Sequence, residues 1–341
     1  MSLWMPEYLL AAVMLLALCI YMLTAGADFG GGILDLLAIG PRAREQRDLI
    51  ARTLAPIWEA NHVWLILIIV LLFVCFPPVF QIMSIILHIP ITILLIGIVL
   101  RGSAFVFRSH DAESAKKHWS VLFSIGSILA PLMLGICLGT IASGSFPPLP
   151  SPTYSFQTYF ITPWLALFPV LVGLLTLWLC ALLSSLYLLQ RTATPKLQAD
   201  FRLRALIFAL LTGLTAFGAL WASKTGALLV HHNLLHEAWS LEFQIITGLA
   251  ALGVFWALFF KYDSLAQLAG IIQVICMIGG WALSQFPYLI VDTQTILESA
   301  ASHAILNPVL IAIGVGALAL VPSFIWLYSV FGIKLESDMP N

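Results

Sequence analysis

Nine stretches of this chain are apolar for long enough to cross a lipid bilayer, and no other feature constrains its fold so tightly. A crossing takes about 20 apolar residues. The runs fall near 7–39, 48–76, 79–107, 119–142, 161–190, 204–222, 241–261, 265–288 and 303–331. Inside hydrocarbon every backbone N–H and C=O must be bonded within the structure, so runs of this length predict helices. The expected fold is an all-α integral membrane protein of about nine transmembrane helices. The first, second, third, fifth and ninth runs exceed one crossing, which predicts tilt or projection beyond the bilayer. Pro56, Pro131 and Pro169 lie inside or near the ends of such runs, where membrane helices tolerate them.

Composition agrees: 61% of the 341 residues are hydrophobic and 9% charged, against about a quarter charged in a soluble domain. A net charge of -1 excludes the basic face that nucleic acid would require. Cys19, Cys75, Cys137, Cys180 and Cys276 all sit in apolar runs without CxxC pairing, and read as small buried hydrophobes. The first 25 residues lack a basic leader, carry Glu7 and run on past Gly26, so they read as a retained helix. With no internal repeat and no low-complexity linker, 1–341 is expected to be a single transmembrane domain.

The basic residues predict an orientation. When the loops of nine spans are alternated, one side collects Arg42, Arg44, Arg47, Arg52, Arg101, Arg108, Lys116, Lys117, Arg191, Lys196, Arg202, Arg204, Lys261 and Lys334. Fourteen of the 15 basic residues fall there, and Lys224 falls on the other side. The basic side reads as cytoplasmic, with the N-terminus outside and the C-terminus inside, in a bacterial-type inner membrane.

A carboxylate within hydrocarbon costs at least ~2.5–3.5 kcal/mol and so calls for a reason. Asp28 lies eleven residues before the end of the first run and Glu59 eleven after the start of the second. Both are therefore expected ~16 Å from their shared turn, where two antiparallel helices present two carboxyl groups at one depth. Held close, they would tend to retain one proton between them. Thr24, Asp28, Gly32 and Asp35 form a stripe on the first helix, and Asn61, His62, Trp58 and Trp64 stand near Glu59. Ser84, His88 and Thr92 at steps of four would extend a polar thread from the cytoplasm towards mid-membrane, as a proton relay uses. The alternative is a structural pair, hydrogen-bonded to Asn61 or to backbone freed by Pro56. Gly26, Gly30, Gly31 and Gly32 suit close helix packing, and Arg101 and Arg108 suit anchoring at the interface.

Haem ligation needs imidazoles deep in the membrane and opposed. His62 and His88 have the depth but no paired pattern, so each reads as a satisfied polar side chain. His231, His232, His236 and Glu237 form a denser cluster outside the membrane, read as a hydrated loop rather than a metal site. No metal is expected.

These residues resemble subunit II of the cytochrome bd-type quinol oxidases. An acidic, Gly-rich segment closes the first helix (Thr24 to Gly32), and a P-x-W-[DE]-x-N-x-V-W-L element follows at Pro56 to Leu65. Phe76-Pro77 comes next, and then an R-x-x-x-F-x-x-R element at Arg101 to Arg108. Pro131, Gly135, Gly139 and Phe286-Pro287-Tyr288 fit more loosely. The chain departs from the family where Ala25 and Val106 replace frequent acids and where Glu59 replaces a more usual aspartate. The resemblance implies a role in reducing oxygen to water with electrons from membrane quinol. It puts haems b and d in the partner subunit I, which this chain would stabilise, and gives this chain no catalytic residue of its own. Candidates for a cytoplasmic proton path are Asp28, Glu59 and His62, with Trp58, Asn61, Trp64, Arg101 and Arg108 in support. Membrane lipid, a small accessory subunit and a structural quinone beside Trp58 are the further partners it implies. A proton-coupled secondary transporter using the same two acids is the competing reading.

Overall fold

The structure, a computed structural model, describes residues 5–54, 58–110, 113–147, 155–192 and 194–331, without the side chains of 54, 58, 108–110, 113–117 and 328–331. Among the described residues, eight helices are long and apolar enough to cross a membrane. They are α1 (Pro6–Leu36), α5 (His88–His110), α6 (Glu113–Ser143), α8 (Leu167–Leu189), α9 (Pro195–Gly226), α11 (Ser240–Phe259), α12 (Asp263–Gln285) and α14 (His303–Phe331). The pair α3 (Trp58–Cys75) and α4 (Pro77–Ile86), bent by 115° at a short break, brings the count to nine when taken as one span.

Two of the expected runs divide. The stretch 48–76 holds α2 (Ala43–Leu54) as well as α3. Arg44, Glu45, Asp48 and Arg52 are exposed on α2 while Leu49 and Ile50 are buried, so it is an amphipathic helix and not the start of a span. The stretch 79–107 holds α4 and most of α5. Pro77 and Pro78 lack the N–H groups that would continue α3, and the chain turns at Phe76 to start α4 on them. Residues 223–240, expected as a hydrated loop, contain the helix α10 (Leu228–His236). A short helix α7 (Phe156–Phe160) lies in the other long connection.

The long helix α1 runs through the middle, packed against α3, α6 and α8; α6 also packs on α5, α8 on α9, and α11 on α12. Close approach depends on small residues. A methyl group on Gly30 would run into the carbonyl of Cys180, and one on Gly32 into the hydroxyl of Ser127. One on Gly26 would stand 3.4 Å from Leu183, an ordinary contact. The glycine run thus seats α1 on α6 and α8. Cys75, Cys137 and Cys180 are buried, and all five thiols are free.

Ion pairs gather the end of the bundle that carries the basic residues. Arg42 grips Asp200 through Nε at 2.8 Å and through Nη2 at 2.5 Å, and Gln46 adds a bond to the same carboxylate at 2.8 Å. Arg204 donates to Leu37 O and Gln46 Oε1, both at 2.7 Å, and Arg202 binds Asp263 at 2.8 Å. Together they join the end of α1 to α2, α9 and α12. At the opposite end a small hairpin, β1 (Tyr288–Ile290) with β2 (Gln294–Thr295), leads into α13 (Ile296–Ser299). The hairpin is tied to α6 by Val291 N–H on Ile141 O at 3.2 Å, and the segment after α13 to α3 by Ala301 N–H on Cys75 O at 2.8 Å. Glu7 on α1, 7% exposed, meets His303 Nε2 at 2.7 Å. The rest of α14 packs on α1 and α3 and exposes Ile311, Val315, Leu318 and Ile325.

Candidate functional site

Asp28 lies eight residues before the end of α1, ~12 Å along its axis, and is 2% exposed. Its Oδ2 accepts a hydrogen bond from the side-chain amide of Asn61, itself fully buried near the start of α3. That bond sets the first turn of α3 level with Asp28, so α3 starts well inside the bundle.

Glu59 is in that same turn, and the expected match in depth holds to within about one turn. The expected pairing does not. Glu59 and Asn61 are two residues apart, about 200° around a helix, so when Asn61 faces α1 Glu59 faces away from it. Glu59 is exposed, at the head of a stripe that continues through Val63, Ile66, Val70 and Phe73. The structural alternative named Asn61 as a partner for the pair, and for Asp28 that contact is present.

Arg101 is also placed differently from its expected interfacial anchoring. It is 2% exposed on α5, with its guanidinium 5.2 Å from the Phe29 ring and 5.4 Å from the Phe123 ring. Two aromatic faces hold the charge where an interface would have held it in water. Asp28 and Arg101 act on one another electrostatically, and Asp28 Oδ1 and Arg101 Nε are buried without a hydrogen-bond partner. One acid, one amide and one guanidinium from α1, α3 and α5 thus form a compact intramembrane polar site.

His62 borders it, with Nδ1 3.3 Å from the hydroxyl of Tyr21 and its ring 5.9 Å from those of Tyr21 and Phe29. Trp64 packs on Phe324 of α14 at 5.3 Å. The side chains of Trp58 and Arg108, and all of Pro56, lie outside the described residues. The extension through Ser84, His88 and Thr92 is not formed. Ser84 belongs to α4, His88 opens α5 at the end of the bundle away from Asp28, and its exposed ring bonds Ile85 O at 2.8 Å and abuts Phe160.

Of the outer histidines, His231 bonds Ser223 at 2.9 Å and His232 stacks on His236 at 4.9 Å between ring centres. Among the described residues no three His, Cys, Asp or Glu side chains are grouped to hold a metal ion. Sequence reasoning missed Tyr21, Phe123 and the serines of α6. The signal for the serines was there: Ser120, Ser124 and Ser127 are spaced four and three apart. Asp35, the last member of the α1 stripe, is buried and accepts a hydrogen bond from Ser120 at 2.7 Å.

A bundle of membrane helices closed around a buried acid, amide and guanidinium defines a polytopic membrane protein with an intramembrane polar site. Its family follows from comparison with known proteins: a model of the cytochrome bd terminal oxidase subunit II family matches residues 5–331, and the chain belongs to that family. It is accordingly a multi-pass protein of the bacterial cytoplasmic membrane. It is 33% identical over 138 residues to the cytochrome bd ubiquinol oxidase subunit 2 of Bacillus subtilis, a stretch covering 40% of this chain and 39% of that one. To the cytochrome bd-I ubiquinol oxidase subunit 2 of Escherichia coli it is 30% identical over 138 residues, 40% of this chain and 35% of that one. These matches span under two fifths of the relatives' own length. A chain of the bd oxidase of Geobacillus thermodenitrificans shares the fold, with a TM-score of 0.79 at 22% identity over 96% of this chain and 98% of that one.

Proposed function

We propose that this chain is the haem-free subunit II of a quinol oxidase that reduces oxygen to water, and that it carries protons from the cytoplasm towards a haem-bearing subunit I. The observation that carries this reading is the buried Asp28, bonded to Asn61 beside Arg101 in a family member. An intramembrane acid kept among polar partners is what a proton relay requires. The basic end of the bundle is the cytoplasmic side in this reading, with the N-terminus outside.

The exposed stripe of α3 supports a seat for subunit I on this face. Glu59 stands level with Asp28 on a face otherwise made of Val63, Ile66, Val70 and Phe73, and a carboxylate facing lipid at that depth is costly. A protein partner on this face covers the apolar residues and gives Glu59 a polar neighbour. His62 borders the Asp28 site while His88 opens α5 at the far end of the bundle, so the two do not oppose one another across one haem, which fits haems held by the partner.

The test is to purify the chain with its membrane partners and record the absorption spectrum. A haem subunit at equal stoichiometry with b- and d-type bands is expected, and its absence refutes the assignment. In that complex Asp28→Asn and Glu59→Gln should assemble with normal haem content and lose turnover. Full turnover in both would leave a scaffold and no relay.

A further inference from the structure

Two buried carboxylates stand seven residues apart on α1, Asp28 at 2% and Asp35 at 1% exposure. Asp35 sits in the last turn, where the helix dipole opposes negative charge, and no basic side chain shares that turn. Its Oδ2 accepts a hydrogen bond from the half-buried Ser120 near the start of α6.

From Ser120 a row of hydroxyls leads inward. Ser124 and Ser127 follow at steps of four and three, on one face of α6, at 1% and 0% exposure. α6 runs antiparallel to α1, so the stretch from Ser120 to Ser127 leads back along α1 from Asp35 to Gly32. Ser127 lies against Gly32, which is one turn from Asp28. Buried helical hydroxyls elsewhere are left unpaired at Ser184 and Thr212, while Thr140 and Ser185 satisfy themselves on the carbonyls of Ile136 and Ala181 four residues back. Ser124 and Ser127 do not. Their Oγ atoms, with Asp28 Oδ1 and Arg101 Nε, are buried and without a hydrogen-bond partner. Buried polar groups are as a rule bonded, to protein or to ordered water. Four such atoms strung between two buried acids mark a hydrated seam.

We infer that a file of water runs along the α1–α6 seam from Asp35 and Ser120 to Asp28 and Arg101, and that Asp35 is the group that takes protons into it. The inference rests on the reading of Asp28 as a relay group. Seven residues span ~10.5 Å, room for about three waters in line between the acids. The Asp35 carboxylate takes a proton passed on by the half-buried Ser120 hydroxyl, which receives one from outside as it gives its own, and releases it to the first water of the file. Each O–H passes one proton on as it receives another, and Asp28 takes up the last. When Asp28 hands its proton on, both carboxylates are back as they began, with no electron moved. Asp35 thereby supplies an acid on a helix where Ala25 does not.

The test uses the purified oxidase complex, comparing Asp35→Asn, Asp35→Glu, Asp28→Asn and the double variant Ser124→Val with Ser127→Val. The amide oxygen introduced by Asp35→Asn can still accept the Ser120 hydroxyl, so this variant keeps that helix contact and removes the exchangeable carboxyl. It should keep the haem spectrum and melting temperature, lose about tenfold or more in oxygen consumption, and show a larger solvent deuterium isotope effect. Asp35→Glu should restore most of the rate. The serine double variant, which leaves both acids in place, should slow proton uptake by about tenfold. Wild-type turnover in Asp35→Asn with loss in Asp28→Asn overturns the seam and leaves the relay reading standing; wild-type turnover in both overturns the two together. Should Asp35→Asn fail to assemble, wild-type proton uptake in the serine double variant overturns the seam.

Discussion

The side-chain amide of Asn61 donates to the carboxylate of Asp28, and this bond aligns α3 with α1 at the level of the polar site. Because the donor is Asn61, the acid two residues before it faces the outside of the chain.

Asn61→Leu should leave Asp28 buried without that donor. A loss of about 1–3 kcal/mol is expected from a buried acceptor losing its partner. Thermal unfolding of the purified protein in detergent measures it. Restoring stability with Asp28→Leu in the same chain would show that the orphaned carboxylate, and not packing, was the cause.

The α1 glycines should differ sharply in tolerance. Gly26→Ala meets Leu183 at 3.4 Å and should fold normally. Gly30→Ala drives a methyl into the backbone of Cys180 and should cut the yield of folded protein severely. Gly32→Ala collides with the Ser127 side chain, so Ser127→Gly should recover part of the loss. Expression level and melting temperature distinguish the three.

The stripe on α3 should be buried by the partner. A cysteine at Val70 is expected to react with a lipid-soluble maleimide in the isolated chain and to be protected in the complex. Val70→Arg should stop subunit I from co-purifying. Equal labelling in both states would place subunit I elsewhere.

Arg42→Lys keeps the charge opposite Asp200 and gives up one of two guanidinium contacts. Arg42 and Asp200 side chains are 37% and 20% exposed, so the expected fall in melting temperature is small, and smaller still in high salt. Melting temperatures at two ionic strengths test this.

His303→Ala should free the start of α14 from Glu7. With little else of α14 packed on this chain, hydrogen exchange along its first turns should rise while α1 and α8 stay protected.

The class of fold was legible in the sequence because hydrocarbon leaves the backbone no choice: a long apolar run must become a helix, and basic residues mark the helix ends. The breaks inside two of those runs were harder to read. Pro77-Pro78 did announce one, but α2 and α3 share a continuous stretch of sequence, and only the burial of Leu49 and Ile50 beneath exposed charges separates them. In the site, Asp28 and Asn61 could be singled out as polar residues at a costly depth. The rotation of α3 could not, since depth follows from counting residues while facing depends on what packs around the helix.

Residue chemistry alone dictates a membrane bundle with a basic end and costly polar groups at a predictable depth, because transfer from water to lipid acts on each side chain separately. Which polar groups meet is a matter of packing. Glu59 is turned outward, Arg101 drawn in between Phe29 and Phe123, and Asp35 joined to Ser120 by how α1, α3, α5 and α6 rotate and slide to fit their small residues. Those rotations minimise the packing energy of the whole bundle, a quantity no single run of residues contains.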